Sequence, residues 1–404
     1  MLVKVSWQEA RDLLLEHTSV TGREVLPLAD ACGRILSSQI KAVLNVPPFD
    51  RSPFDGYAFR SADTQGELPV TLKITEEVPA GSVSSQAVSS GTAVKILTGA
   101  PIPDGADCVV KFEETEYDAD HVTIFRAMKH GEDVARAGED VKIGDVLGER
   151  GRRLDAGVAG AVAAQGITDA EVYRIPKIGV VSIGSELVEP GAECGMGQIY
   201  NSSRYSLQAA LLAEGLSPVF YPIPRDDTDD ICAVVDQALK ENDAVITTGG
   251  VSVGDYDLTR AAFEKAGARI LCGDLRLKPG GKSWYAVRDG KLLYGLSGNP
   301  ASAMTSFYAV ALPSLRKMRG DIDGRLPEME VPLAEDFRKK GKVTRLLRGR
   351  LILADGRISF AAADKQGNSA LHTLAGANAL AEIPAGAGPK EAGAVLKIYY
   401  LGNG

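Results

Sequence analysis

The sequence contains few cysteines and histidines for its 404 residues. Its five cysteines form no Cys-x-x-Cys pair, and an odd number of well-separated cysteines argues against a zinc site or a disulfide framework. None of the four histidines lies near a serine or cysteine nucleophile motif. We therefore expect a reduced, cytoplasmic protein whose chemistry depends on carboxylates, lysines and backbone groups.

A basic surface and long apolar runs are also missing. The formal net charge of −8 argues against a broad nucleic-acid-binding surface. No run of about 18 apolar residues occurs, so we expect no membrane span. Near the start of the sequence the carboxylate of Glu9 comes too early for the apolar part of a signal peptide. Glycine, by contrast, is plentiful at 44 residues, which favours tight turns and ligand sites lined by backbone.

The residue pattern of the first part of the chain changes twice, from helical to β-type and back to helical. Ser6 and Glu9 form a capping box that predicts a short helix, and further helices are expected near residues 28–36 and 156–164. Between them lie short alternating runs with Gly and Pro, which indicate a small β-domain. We predict a helical stalk and dimerisation domain from residues 1–45 with 143–175, and an inserted β-domain from residues 46–142.

Strands and helices alternate in residues 176–322. The apolar run 178–183 is typical of a strand buried on both faces, and Asp289-Gly290 is a preferred hairpin turn. Thr228 or Asp229 is expected to cap a helix. The alternation predicts a doubly wound, mostly parallel α/β domain. Residues 323–404 return to short strands, which predict a small β-barrel-like domain, so the fold class is multidomain α/β plus β.

The unusual residues of the α/β unit follow its predicted strands. Ligands of open α/β sheets bind beyond the carboxyl ends of the strands, so these loops are expected on one rim. The loops are Gly184-Ser185-Glu186, Arg225-Asp226-Asp227, the stretch 249–257, Lys278 to Lys282, and Ser297 to Pro300. Five such loops exceed what turn chemistry alone requires, and they predict a ligand site.

The residue types in these loops point to a bound phosphate. Glycines and hydroxyls between Gly249 and Gly254 would offer backbone N–H groups to an anion, although Gly-Gly after a strand is also a common tight turn. Glu186, Asp226 and Asp257 would repel a phosphate unless Mg²⁺ bridged them. Simpler interpretations remain open: Asp226 precedes the next helix, Asp255 caps one, and Lys278 and Lys282 belong to a solvated loop.

Several long motifs in order resemble the molybdopterin molybdenumtransferase family, which includes the C-terminal domain of gephyrin. They are Phe54-Asp-Gly-Tyr-Ala58, Thr98-Gly-Ala-Pro-Ile-Pro103, the stretch 132–140, Gly249-Gly-Val-Ser-Val-Gly-Asp-Tyr-Asp257, Lys278-Pro-Gly and Gly298-Asn-Pro300. The resemblance implies insertion of molybdate into adenylyl-molybdopterin, with Mg²⁺ and release of AMP. It also implies a homodimer, with the active cleft between the α/β domain of one subunit and the β-insertion of the other.

The resemblance assigns roles residue by residue. Catalytic roles fall on Glu186, Asp226, Asp257, Asp55 and Thr98. For substrate binding the resemblance gives Arg136, Lys278 and Lys282, and the loops after the strands themselves predict Gly249, Gly250, Ser252, Gly254, Ser297, Gly298 and Asn299. The implied metal ligands are Glu186, Asp226 and Asp257.

Departures from the family pattern keep alternatives open. Phe54 stands where the family usually has Met, and Ser297 stands where it usually has Pro, so tungstate is an alternative to molybdate. A non-catalytic scaffold of the same fold is a second interpretation of the whole chain. A molybdopterin adenylyltransferase is a third, and the stalk and the β-insertion argue against it. A separate adenylyltransferase and recipient molybdoenzymes are the protein partners that the resemblance implies.

Overall fold

The computed structural model of the chain describes residues 2–251 and 257–402, so the predicted binding residues Ser252 and Gly254 lie outside the described residues. The first part contains β1 (Leu2–Val3), α1 (Trp7–Glu16), β2 (Arg23–Pro27), α2 (Leu28–Ala31), β3 (Ile40–Lys41), β4 (Gly56–Phe59), β5 (Val70–Val78), β6 (Thr92–Ile96), β7 (Cys108–Lys111), β8 (Thr115–Tyr117), β9 (His121–Ile124), β10 (Val146–Gly148), α3 (Ala156–Ala163) and β11 (Asp169–Tyr173). The middle part contains β12 (Lys177–Ser182), β13 (Leu187–Val188), β14 (Ile199–Tyr200), α4 (Ser202–Ala213), β15 (Ser217–Phe220), α5 (Thr228–Glu241), β16 (Ala244–Thr248), α6 (Leu258–Lys265), β17 (Arg269–Gly273), β18 (Leu277–Lys278), β19 (Trp284–Arg288), β20 (Lys291–Leu296), α7 (Pro300–Ser306) and α8 (Leu312–Arg319). The last part contains β21 (Glu328–Pro332), β22 (Thr344–Ala354), β23 (Arg357–Ala362), β24 (Ala379–Ile383) and β25 (Val395–Tyr400).

The middle part forms a doubly wound α/β unit around a sheet of order β1-β17-β19-β20-β16-β12-β15. The pairs from β20 to β15 are parallel, and only β17–β19 and β19–β20 are antiparallel in the described sheet. Apolar residues of α1, α4, α7 and α8 cover one face, and those of α5 and α6 cover the other. The predicted hairpin is present, with positive φ at Asp289 and Gly290. This sheet therefore confirms the mostly parallel prediction.

The N-terminal segment belongs to this unit and not to a stalk. β1 pairs with β17 in parallel, with Leu2 opposite Cys272. α1 buries Trp7, Ala10 and Leu14 in the same core cluster as the strands of the sheet. These residues lie at i, i+3 and i+7, so they form one apolar stripe on the helix. The expectation that α1 packs with the helix near residue 156 is wrong, because this stripe finds a larger apolar surface on the sheet.

The rest of the expected stalk is a mixed α and β structure. β2 pairs with β11, and β3 pairs with β10, in two small antiparallel sheets. α3 packs on them through Val158 and Ala159. The helix expected over residues 28–36 is only Leu28–Ala31, and Gly33 with a φ of 80° follows it. The description as a helical stalk is therefore corrected to a small α/β platform.

Two β units complete the chain. The inserted unit is a sheet of order β7-β4-β6-β5-β9-β8. In the C-terminal unit β21, β25, β24, β22 and β23 follow one another, and a bridge from Leu333 to Phe360 returns from the end of β21 to β23. This bridge brings the two edges of the sheet together at one point, and the barrel-like description stays a prediction. Within the described ranges, the helices are all too short or too polar to cross a bilayer.

Candidate active site

A cavity of about 970 Å³ opens where the strands of the α/β sheet end. Loops after β12, β15, β16 and β20 line it, as the strand-end rule predicts. The predicted site residues on its wall are Glu186, Asp226, Gly249, Gly250, Ser297, Gly298 and Asn299. The fifth predicted loop, which carries Lys278 and Lys282, is not part of the described lining.

Close backbone contacts explain the glycines of this wall. Gly249 has a φ of 90°, and a Cβ there would lie 2.0 Å from the carbonyl oxygen of Ile183. Gly250 also has positive φ, and its Cβ would lie 2.6 Å from Oγ1 of the buried Thr259. A Cβ on Gly298 would meet Cα of Gly249 at 3.3 Å. The wall is therefore made of peptide groups without covering side chains, a surface suited to a phosphate.

Two carboxylates on the wall of this cavity, Glu186 and Asp226, form no ion pair with a described residue. Glu186 makes no hydrogen bond through its carboxylate to the part of the chain that the structure describes. Its oxygens lie over Gly184, where a Cβ would come within 2.5 Å of Oε2. Asp226 accepts a hydrogen bond from the Ser185 N–H at 3.0 Å. Both side chains are exposed, so their second oxygens and lone pairs are available to a ligand.

Of the neighbouring carboxylates Asp226 and Asp227, only one serves the next helix as its cap. Asp227 caps α5, and its Oδ1 accepts from the N–H groups of Asp229 and Asp230. The expectation of a Thr228 or Asp229 cap is therefore wrong, because the carboxylate just before them already reaches these donors. The division leaves Asp226 to the cavity.

Asp257 has a different environment from the other two predicted carboxylates. It caps α6, accepts from Trp284 Nε1 at 2.5 Å, and is not among the described residues that line the cavity. Burial raises the pKa of Asp257, against the opposing effects of the Trp284 hydrogen bond and the Arg260 and Lys282 charges. In the described ranges no three metal-ligating side chains come together. The structure thus brings Glu186 and Asp226 to one cavity and leaves Asp257 beside it.

The two predicted lysines also differ. Lys282 forms an ion pair with Asp274 at 2.8 Å. Lys278 makes no ion pair to any described residue, and β18 aligns it with Arg345 of β22 in parallel register. The loop between the lysines is fixed by Ser306 Oγ, which donates to the Gly280 carbonyl at 2.8 Å. Lys278 therefore adds uncompensated positive charge at the junction of the α/β and C-terminal units.

The motifs of the inserted unit converge on one another. Asp55 Oδ1 accepts from both the N–H and the hydroxyl of Thr98, each at 2.7 Å, and these bonds lower the pKa of Asp55. Arg136 pairs with Asp50 at 2.5 Å. Backbone bonds of the adjoining Arg51 and Ser52 join the segments that carry these residues. We call Asp50, Asp55, Thr98 and Arg136 the insert cluster; none of its members lines the described cavity wall.

Sequence reasoning missed the part of the site that the C-terminal unit supplies. Ser369 and Leu371 line the cavity opposite the strand ends. Arg348 is fully buried in β22 and holds the loop just before Ser369. It donates hydrogen bonds to the Gly367 carbonyl at 3.1 Å and the Lys365 carbonyl at 3.3 Å. The sequence feature that could have indicated this buried arginine is its position directly after the apolar pair Leu346-Leu347.

A backbone-lined crevice at the ends of parallel strands, with Glu186 and Asp226 on its wall, defines a doubly wound α/β protein with its ligand crevice in the usual place for such sheets. Family comparison matches residues 5–166 to the MoeA N-terminal region (domain I and II), 179–317 to a probable molybdopterin binding domain, and 330–401 to the MoeA C-terminal region (domain IV). The chain belongs to the molybdopterin molybdenumtransferase family, a family of transferases.

Individual relatives cover nearly the whole chain. A molybdopterin molybdenumtransferase of Staphylococcus epidermidis is 34% identical over 98% of this chain and 95% of its own length. One from Staphylococcus aureus is 33% identical over 97% of this chain and 94% of its own. The crystal structure of the molybdopterin biosynthesis moeA protein from Pyrococcus horikoshii OT3 matches 98% of this chain and 100% of that one, at 29% identity and a TM-score of 0.85.

Proposed function

We propose that the chain inserts molybdate into adenylyl-molybdopterin, with Mg²⁺ and release of AMP. The observation that carries this proposal is the cavity in which Glu186 and Asp226 face the bare peptide wall of Gly249 and Gly250. Backbone N–H groups bind phosphate oxygens, and the carboxylates place a cation against them. The experiment is to add molybdate and Mg²⁺ to the pure chain with adenylyl-molybdopterin and to measure AMP, which a scaffold would not release.

The residues on the cavity wall fit a magnesium ion. Mg²⁺ in phosphate sites takes one or two carboxylates together with substrate oxygens, and Glu186 and Asp226 supply two that lack cationic partners among the described residues. When bound, the ion would neutralise the phosphate oxygens. Glu186 would hold it, Asp226 would orient it through its tie to Ser185, and the glycine wall would bind the phosphate.

Replacing Glu186 by glutamine is expected to raise the Mg²⁺ concentration for half-maximal AMP release by about tenfold. The change keeps the size of the side chain and removes its charge, so the urea midpoint should stay the same. Glu193→Gln, an exposed carboxylate of the neighbouring loop, is the matched control. An unchanged Mg²⁺ dependence in Glu186→Gln would remove this residue from the metal site.

We also infer a homodimer in which the insert cluster of one subunit completes the cavity of the other. The cluster carries predicted catalytic residues, yet it lies away from the cavity wall of its own chain. α3 of the platform exposes Ala156, Gly157, Gly160 and Ala163, a face of small residues that permits close helix approach. A partner subunit on this face would explain both features.

Coexpression of Asp55→Ala and Glu186→Gln chains is expected to restore activity. If the site is shared, a mixed dimer holds one intact site, and random pairing gives about one quarter of the wild-type AMP release. The assay is run at limiting Mg²⁺, where each variant alone should be strongly impaired. Tagged subunits verify that mixed dimers form. Activity no higher than the average of the separate variants, with mixed dimers present, would contradict a shared site.

A further inference from the structure

A second cavity of about 800 Å³ lies beside the first, between α4, the helix turn near Met304 and the C-terminal unit. Its α4 wall includes the small side chains of Ala209, Ala210 and Ala213, next to Tyr205. The facing wall is formed by the segment 374–377, which carries Leu374. No site residue predicted from the sequence lies on this described lining. Cavities of this size with an apolar lining commonly hold small organic ligands.

One buried charge lines this second cavity. Arg348 is 0% exposed and forms no ion pair in the described part of the chain. Its Nε donates to Thr373 at 2.9 Å and its Nη2 to loop carbonyls, but its buried Nη1 has no partner among the described residues. Buried polar groups normally have hydrogen-bond partners. The free donors of Nη1 therefore indicate a ligand acceptor.

The two cavities adjoin each other. Tyr200, Ser202 and Leu371 line both of them. A ligand with a phosphate against the Gly249-Gly250 wall could therefore extend past these residues toward Arg348. The first cavity offers carboxylates and peptide groups, whereas the second offers a mainly apolar and aromatic slot with the buried Arg348 at its wall.

We propose that the second cavity holds the pterin end of the substrate. This assignment rests on the proposed function, because adenylyl-molybdopterin carries a pterin and an adenine at opposite ends of its phosphates. A pterin presents a ring carbonyl oxygen, which accepts hydrogen bonds from a guanidinium group. Both ring systems carry an amino group and ring-nitrogen acceptors, but only the pterin adds a carbonyl oxygen beside a ring nitrogen, the edge to which a guanidinium group donates best. Adenine places an amino donor beside its ring nitrogen, an edge that suits an amide better than a guanidinium group. The donors of Arg348 therefore favour the pterin end for this cavity.

Filling the slot tests the proposal. Ala209→Leu is expected to weaken binding of the fluorescent probe 6-hydroxymethylpterin by at least about tenfold, measured by fluorescence anisotropy. AMP binding, measured by calorimetry, should stay within about twofold. Leucine is a good helix former and Ala209 is exposed, so the fold should persist. Ala233→Leu on α5, exposed and away from both described cavities, is the matched control.

A second variant addresses the donor itself. Arg348→Lys keeps the charge and removes Nη1, so it should weaken pterin binding and spare AMP, with circular dichroism confirming the fold. Unchanged pterin binding in both variants would overturn the proposal. So would loss of AMP binding in Ala209→Leu without loss of pterin binding, which places adenine here. Displacement of the probe by molybdate alone would assign the site to a free oxyanion instead.

The failure of this proposal is separable from failure of the proposed function. Suppose that the wild-type chain releases AMP on addition of molybdate and that Ala209→Leu does so at the same substrate concentration. The proposed function would then stand, and the pterin assignment of the second cavity would be wrong. Suppose instead that the wild-type chain releases no AMP but binds the pterin probe, and that Ala209→Leu weakens this binding. The proposed function would then be wrong, and the pterin assignment would stand.

Discussion

Alanine at position 249 is expected to abolish nucleotide binding, with AMP affinity falling by about a hundredfold or more. The new Cβ would lie 2.0 Å from the Ile183 carbonyl oxygen, at a φ of 90° that L side chains rarely adopt. Relief requires the ends of β12 and β16 to separate, and the loops that follow these strands carry Glu186 and the peptide wall. Calorimetry with AMP and urea unfolding measure the two consequences.

Substitutions at two further glycines distinguish the cost of the positive φ from the cost of the close contact to Ile183. Gly267 has a φ of 79° and nothing within 4 Å of its Cβ position, so Gly267→Ala reports the conformational cost alone, about 1–2 kcal/mol. Gly298→Ala adds only a 3.3 Å contact to Gly249, so it tests the wall in a chain that still folds. Equal stability losses at 249 and 267, with AMP binding retained, would refute the role of the close contact.

Removing the Lys278 side chain is expected to raise the molybdate concentration for half-maximal AMP release by about 10–100-fold. Molybdate is a dianion, and charge-assisted hydrogen bonds contribute about 1.5–3 kcal/mol each. Lys278 has no ion-pair partner among the described residues, and Arg345 beside it adds charge of the same sign. Its ammonium group is therefore free to bind an oxyanion, unlike that of Lys282.

The control for Lys278→Ala is Lys73→Ala, which removes an equally exposed lysine of the inserted sheet. It corrects for the change in net charge. Titrations with molybdate and with tungstate compare the two oxyanions that the sequence leaves open. An equal shift in both variants, or a lower maximal rate with unchanged molybdate dependence, would exclude Lys278 from oxyanion capture.

Local signals predicted the loops of the candidate site well. The run 178–183 and the Gly249-Gly250 pair show where buried strands end, and parallel strands bring such ends to one rim. The resemblance named Asp55 and Thr98 together, and the structure joins them by hydrogen bonds. These features depend on neighbouring residues or on the order of strands in one sheet, so they can be predicted from the amino-acid sequence.

Long-range contacts were harder to predict. β1 has only two residues, and its pairing with β17 depends on a partner about 270 residues away. The sequence suggested Asp255 as the cap of α6, but Asp257 caps this helix, and the bond of Asp257 to Trp284 could not be read from spacing either. The same holds for Arg348, whose Nη1 is buried against the C-terminal loops and has no partner among the residues that the structure describes.

The sequence alone determined the order of the units, the mostly parallel sheet and the strand-end position of Glu186, Asp226 and the glycines. These follow from periodicity, turn chemistry and the handed geometry of βαβ units. Only the tertiary structure decided which charges are already paired. Asp227 and Asp257 cap helices and Lys282 meets Asp274, whereas Glu186, Lys278 and Arg348 Nη1 have no such partner among the described residues. Pairing depends on distances across the fold, which residue spacing does not specify.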